Sequence, residues 1–253
     1  MMSKAFVKFK NLKIFNKGIL KKIKDKIYYN YISPKEEKRT DKYRTEIIGK
    51  IYDICKGKKW MLSSGALLRH YRDDTMEGQD LDIDILDTDF DKIKEKFIEN
   101  GFKIKQVFIN PNGKITEYKF IYKNVEIDVF LLNKNGKNHD QFFTIEKNNA
   151  KEIDKKIVGN KLIVTGDDYI SYLRKIHEFK DVIDYEYEGV KYCAPKNIEG
   201  HIVELYGDNW KVYDPNFDPK TNPKNNKPIP YKGAKSIVYI EPIDYYEDVK
   251  NMI

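Results

Sequence analysis

With 253 residues, 40% of them apolar, and 13 Phe and 19 Tyr, the chain suits one domain or one domain with an appendage, and its well-mixed charged residues (34%) exclude wholesale disorder. The net charge of +7 is local: residues 1–30 hold nine Lys against one acid, Asp25, so the other 223 residues sum to −1, which excludes a body with a broad basic face for nucleic acid. Cys55 and Cys193 are too few and too far apart for a disulfide framework or a cysteine metal site, and no apolar run approaches the roughly 18–20 residues that span a bilayer.

The elements follow in chain order. Leu12, Phe15, Ile19, Ile23 and Ile27 recur at steps of three and four among lysines, which predicts a basic amphipathic helix. Such a helix either lies on an anionic membrane surface or packs on the body with its lysines in water. The interleaved Lys leave no continuous apolar segment of a secretory signal, so a cytoplasmic protein is expected, with a peripheral place at the inner membrane face through residues 2–30. "SPKEEKRTD" from Ser33 reads as a solvated link. Ile47, Ile48, Ile51 and Ile54 then give a helical stripe from about Thr40 to Lys56, stopped at Gly57.

"KWMLSS" reads as a short buried strand, Gly65 as a turn, and "ALLRHYRD" as a helix. In "DLDIDIL", Asp80, Asp82 and Asp84 alternate with Leu81, Ile83 and Ile85, the pattern of a strand with one buried face and three carboxylates on the other. Asp is a poor strand former, and like charges on one face repel, so a counter-charge from outside the chain is expected. "FDKIKEKFIEN" predicts a helix capped by Asp87, Thr88 or Asp89 and stopped by Gly101. Strands are predicted at "FKIKQVFI", "ITEYKFIY" and "VEIDVFLL", with "NPNG" as a hairpin turn between the first two. "TGDDYISYLRKIHEFKDVI" reads as helical, "VKYCAP" as a strand, and "NIEGHIVELYGDNW" as a helix leading into a tail rich in Pro, Asn and Lys.

The chemistry concentrates in two places. A glycine opening a helix lets backbone N–H groups approach a phosphate, and the helix dipole favours the anion there. Some fifteen residues later, carboxylates two apart on a strand face can hold Mg²⁺ or Mn²⁺, which take oxygen ligands and bind through one or two carboxylates plus substrate phosphates. In "NVEIDVFLL", Glu126 and Asp128 share the face opposite Val125, Ile127 and Val129. If that strand pairs beside the first, Asp128 joins Asp82 and Asp84 as third ligand or base, with Asp80 as a further candidate ligand. Arg69 and Arg72, three apart, can both reach a phosphate from one helix face. His70, His139, His177 and His201 show no metal-ligand spacing.

"WMLSSGALLRHYRDDTMEGQDLDIDIL" resembles the signature of the LicD/fukutin family of phosphocholine and ribitol-phosphate transferases. There an aromatic-led strand enters Ser-x-Gly-[Thr/Ala]-Leu-Leu, followed by an Arg, a short loop and an Asp-x-Asp-x-Asp strand. "HIVELYGDNWKVYDP" is similar to the Leu-Tyr-Gly-x-x-Trp segment that closes those domains. The matches frame roughly residues 42–215. The chain departs from the pattern at Arg69, where the family usually has a small residue, and in "DDTMEGQ", which lacks the usual aromatic and Pro.

The resemblance implies an α/β fold with a nucleotidyltransferase-like core, helices packed on a mixed β-sheet, over residues 40–215. The basic arm, 1–39, would precede it and a C-terminal extension, 216–253, would follow. It implies Mg²⁺- or Mn²⁺-dependent transfer of a phosphorylated alcohol from a CDP-linked donor to a hydroxyl of a cell-surface glycan, which can be lipid-linked. Ser64 and Gly65 would line the phosphate turn, Asp82 and Asp84 would hold the metal, Asp128 would be the third carboxylate and Arg72 would meet donor phosphate. Tyr206, Gly207 and Trp210 would support the site. Two other readings stay open: a nucleotidyltransferase moving NMP from an NTP to a small molecule, protein or RNA end, and a non-catalytic binding protein of the same fold. Nucleic acid is not an expected partner.

Overall fold

The computed structural model describes residues 33–75, 80–146, 152–214, 217–220 and 228–244, with 33–42 described as backbone. The basic helix expected over residues 12–27, and with it the membrane contact of residues 2–30, falls outside the described residues. No helix among the described residues is long and apolar enough to cross a membrane.

The protein is a mixed α/β structure dominated by a large, mostly antiparallel sheet. In chain order the elements are α1 (Ser33–Ile54), β1 (Trp60–Leu62), α2 (Ser64–Asp73), β2 (Asp80–Leu86), α3 (Asp87–Phe90), α4 (Lys94–Glu99), β3 (Lys103–Ile109), β4 (Ile115–Tyr122), β5 (Val125–Asn135), β6 (Asn138–Glu146), β7 (Asp154–Val158), β8 (Lys161–Thr165) and β9 (Tyr169–Ile176). A 3₁₀ turn at Glu178–Lys180 leads to β10 (Val182–Tyr187) and β11 (Val190–Pro195), and α5 (Ile198–Tyr206), β12 (Ile229–Tyr231) and β13 (Lys235–Ile243) complete the set.

Eleven strands form one sheet in the order β12-β9-β6-β5-β4-β3-β13-β8-β7, with β2 also on β5 and β1 on β2, while β10 and β11 form a separate hairpin. The long strand β5 joins the two halves. Glu126–Phe130 lie between β4 and β2, Leu131 and Leu132 stay paired with β2, and Asn133–Asn135 continue to pair with β6. The β2–β5 pair is parallel, setting Asp80 opposite Glu126, Asp82 opposite Asp128 and Asp84 opposite Phe130.

Apolar burial enforces that register. Leu81, Ile83, Ile85, Ile127 and Val129 are completely buried on the reverse face, against Ile47 and Ile51 of α1 and the aromatic group Phe90, Phe97 and Phe120. Phe97 stacks on Phe120 with ring centroids 5.0 Å apart. A slip of one residue would turn every isoleucine into the polar layer, so the pairing has no close competitor.

Several expectations need correction. The "SPKEEKRTD" link is the first part of α1, which starts at Ser33 and so crosses the anticipated boundary at residue 40. Pro34 suits a first helical turn and the Lys and Glu that follow are good helix formers. "FDKIKEKFIEN" is not one helix: Ile93 leaves helical geometry (φ −127°, ψ −3°) to bury its side chain, separating α3 from α4, and neither start has a side-chain cap. The segment read as helical around "YISYLRKI" is strand β9, held over eight residues against β6 and flanked by β12. Tyr169, Ile170, Leu173 and Ile176 fall at steps of one, three and three, a helical spacing without period-two alternation, and pairing on both edges overrides it.

The stretch 216–253, expected as an extension, supplies β13 between β3 and β8, with Ile237 fully buried. Truncation after residue 215 is therefore expected to expose the edges of β3 and β8 and abolish cooperative thermal unfolding. Circular dichroism melts check this: a separable extension would leave the melt of the shortened chain unchanged.

Candidate functional site

Side chains on a strand two residues apart share a face, so β2 projects Asp80, Asp82 and Asp84 away from the apolar core, and β5 adds Glu126 and Asp128. Asp80, Asp82 and Asp128 come together, each offering a carboxylate oxygen within 4.8 Å of the others. Asp84 does not join them. Asp80 and Asp84 are separated by roughly 13 Å of strand rise, too far for one ion to reach both. Asp84 is fully buried and accepts from Ser63 Oγ at 3.0 Å and from Gln141 Nε2, while Gln141 in turn accepts from Arg174 Nε. The carboxylates that gather are thus Asp80, Asp82 and Asp128, while Asp84, expected beside Asp82 as a ligand, anchors a buried hydrogen-bond chain.

Sequence reading missed Lys119, Glu117, Gln141 and Arg174. Lys119 Nζ lies 2.7 Å from Asp128 Oδ1, 2.8 Å from its Oδ2 and 3.4 Å from Glu126 Oε2, and Lys105 also pairs with Glu126. A signal for Lys119 was present. Lys123 and Asn124 both take positive φ (47° and 66°) as the two-residue turn of the β4–β5 hairpin, and counting back from Tyr122↔Val125 puts Lys119 opposite Asp128. Gln141 and Arg174 had no such signal, because β6 was not anticipated and β9 was read as a helix.

The electrostatics follow from burial and crowding. Burial, then the charges of Asp80 and Asp128, hold the Asp82 carboxyl well above its ordinary range, against the pull of Lys119 and Arg69. Burial likewise raises Asp128 against the opposing Lys119 charge, and raises Asp84 against His201, Arg174 and its two hydrogen bonds. Glu117 is pushed well above the carboxylate range by burial and then by Asp128. Burial alone would lower Lys119, but Asp128 and Glu117 outweigh it and its ammonium is held above the usual value.

The turn before α2 has the geometry of an anion seat. Ser63 stands at the N-cap but makes no cap hydrogen bond, because its hydroxyl serves Asp84. Ser64 takes φ +48°, a left-handed conformation that costs a non-glycine residue on the order of 1–2 kcal/mol. A Cβ at Gly65 would lie 3.0 Å from Arg69 Nη1, so the guanidinium folds back over the first turn of its own helix. Arg69 Nε and Nη2 are enclosed without a hydrogen-bond partner among the described residues. Arg72 is already engaged, donating to both oxygens of Asp73 and, at 3.4 Å, to the Trp210 carbonyl.

Gly65, Arg69 and Arg72 form one wall of an open cleft of about 730 Å³, faced by Tyr206, Trp210 and Tyr213. That volume lies within the usual range for a small-molecule site. The Arg69 charge pulls the Asp82 carboxyl down, and Asp82 in turn helps raise the Tyr206 hydroxyl after burial, which links the cleft wall to the carboxylates. Tyr206 and Trp210 therefore form part of the cleft wall as well as supporting it, and Gly207 (φ +83°) ends α5 between them. His70 packs edge-on against Tyr187 and Tyr192, and His139 against Phe179, away from the trio. His177 and His201 both face Glu204.

Compared with protein-family models and with curated proteins, the chain gives no match.

Two predictions follow from this geometry. Because burial raises the Asp82, Asp84 and Asp128 carboxyls above their ordinary range, these groups should subtract stability as pH rises above about 4 in metal-free buffer. Asp82→Asn should flatten that slope, read as the difference between the two proteins' thermal midpoints across the range. Ser63→Ala leaves one Asp84 oxygen unsatisfied and is expected to cost about 1–3 kcal/mol in denaturant unfolding.

Proposed function

We propose that this protein is a divalent-metal-dependent transferase of the LicD type, moving a phosphorylated alcohol from a CDP-linked donor to a glycan hydroxyl. The observation that carries the reading is the meeting of three carboxylates from two paired strands, together with Arg69, which lies in the cleft wall, acts on Asp82 through its charge, and has two enclosed N–H groups without a partner among the described residues. The donor class comes from the motif resemblance around Ser63–Leu86 and Tyr206–Trp210, and the fold would be a nucleotidyltransferase-like core.

The residues fit a hard cation. All three donors are carboxylate oxygens, gathered closely enough to share one ion, and their partial burial leaves an uncompensated cost that a cation removes. Asp80, Asp82 and Asp128 would hold Mg²⁺ or Mn²⁺, which supplies charge neutralisation for the transferring phosphoryl group. The chain's own groups do the rest. The Arg69 guanidinium and the uncapped start of α2 bind donor phosphate through N–H groups, and the aromatic wall of the cleft excludes water from the alcohol or nucleotide part. Lys119 fixes the orientation of Asp128 by contacting both of its oxygens. Asp84 holds Ser63, and with it the phosphate turn, in register with the sheet.

The test is nucleotide release by purified protein given Mg²⁺ or Mn²⁺, a crude glycan acceptor, and CDP-choline, CDP-ribitol, CDP-glycerol or CTP in turn. One CDP-alcohol should yield CMP. Asp82→Asn should lower turnover by roughly a thousandfold or more, and Arg69→Ala should raise KM about 10- to 100-fold through loss of a charge-assisted hydrogen bond. Pyrophosphate from CTP, with no CMP from any CDP-alcohol, would make the protein a nucleotidyltransferase instead.

A further inference from the structure

Resting on the reading of Asp80, Asp82 and Asp128 as a cation site, we infer that the site is built for a single divalent ion, with Lys119 as a permanent second cation in the place a second metal would take. Two-metal phosphoryl-transfer sites hold their ions about 3.5–4 Å apart and share carboxylates between them. Here the carboxylate best placed for sharing, Asp128, already has an ammonium within 2.8 Å of both oxygens.

The charges are arranged unevenly. Glu126, the remaining acid on this face of β5, is paired with Lys105 and with Lys119. Asp80 and Asp82 have no Lys or Arg within salt-bridge distance among the described residues. Asp128 and Glu126 thus carry their own ammonium partners, and Asp80 and Asp82 are the acids of this cluster that have none among the described residues. The lysine's position is not adaptable. It stands opposite Asp128 in the β4–β5 register, which the two-residue turn at Lys123–Asn124 sets, and only 16% of its side chain is exposed.

A fixed ammonium gives the site properties that a second metal would not. It supplies positive charge at every metal concentration, and it weakens binding of the resident ion through repulsion across a few ångströms. Lys119 is accordingly a positioning and specificity-setting residue.

The experiment is titration of metal-stripped protein with Mn²⁺ alone, counting bound ions by electron paramagnetic resonance. Wild type should bind one Mn²⁺ per chain with the spectrum of an isolated ion. Lys119→Gln should bind that ion at least about tenfold more tightly, while Lys119→Arg, which keeps the charge, should stay within about threefold of wild type. Two equivalents with a coupled-pair spectrum in wild type would overturn the inference and leave the metal site standing. A Lys119→Gln titration indistinguishable from wild type would also overturn it. No Mn²⁺ binding by wild type, or binding unaffected by Asp82→Asn, would instead defeat the underlying cation-site reading. If Lys119→Gln does not fold, the wild-type count and its spectrum still decide.

Discussion

The parallel pairing of β2 with β5 is the constraint from which the rest of the site follows. It sets Asp82 directly opposite Asp128, which electrostatics alone would forbid. The reverse face settles the matter. Leu81, Ile83, Ile85, Ile127, Val129 and Leu131 are all within a few per cent of complete burial there. At about 1.5–3 kcal/mol for each such side chain, their burial is worth on the order of 10 kcal/mol. Repulsion between two carboxylates some 4 Å apart costs about 4 kcal/mol at an effective dielectric of 20, less when one takes up a proton. The apolar face wins, and the acids are held together under tension.

A second consequence concerns the turn before α2. Ser63 is fully buried and spans two structures: its backbone N–H donates to the Asp82 carbonyl and its hydroxyl to the Asp84 carboxylate. Asp84 then leads through Gln141 to Arg174, whose guanidinium lies over the Phe143 ring at 4.9 Å. The start of α2 is thus tied to β2, β6 and β9 together. A helix start whose own cap serine is committed elsewhere leaves first-turn amides open to an anion, and the tie keeps that opening at a fixed distance from the carboxylates.

How much of this was legible depends on whether a signal is local. The period-two alternation in "DLDIDIL" and "VEIDVFLL" revealed both acidic strands, and Asp128 met Asp82 once the strands paired. The alternation could not say which of three aligned aspartates would gather, because that depends on what enters from neighbouring strands. Gln141 and Ser63 claim Asp84, and Asp80 is left free to join Asp82. Arg69 was visible as a departure from the motif, yet its fold over Gly65 is a three-dimensional fact. Arg72, the residue matched to donor phosphate, is neutralised by its own neighbour Asp73. The helical reading of β9 failed because its apolar positions carry a helical spacing, which the partners β6 and β12 override.

The place of β13 has a bearing on how the molecule comes into being. Everything that makes the carboxylate trio, from β1 to β5, is contiguous between Trp60 and Asn135 and can pair by short-range hairpins and one crossover. The strand that closes the gap between β3 and β8 arrives from far downstream. During synthesis the half that carries the carboxylates would take shape early and wait, with the free border of β3 open to any passing strand, until the chain's later residues reach it. A nascent chain stalled before Lys235 would therefore carry a nearly finished site on an unsealed sheet, the condition in which chaperone capture and aggregation compete most directly.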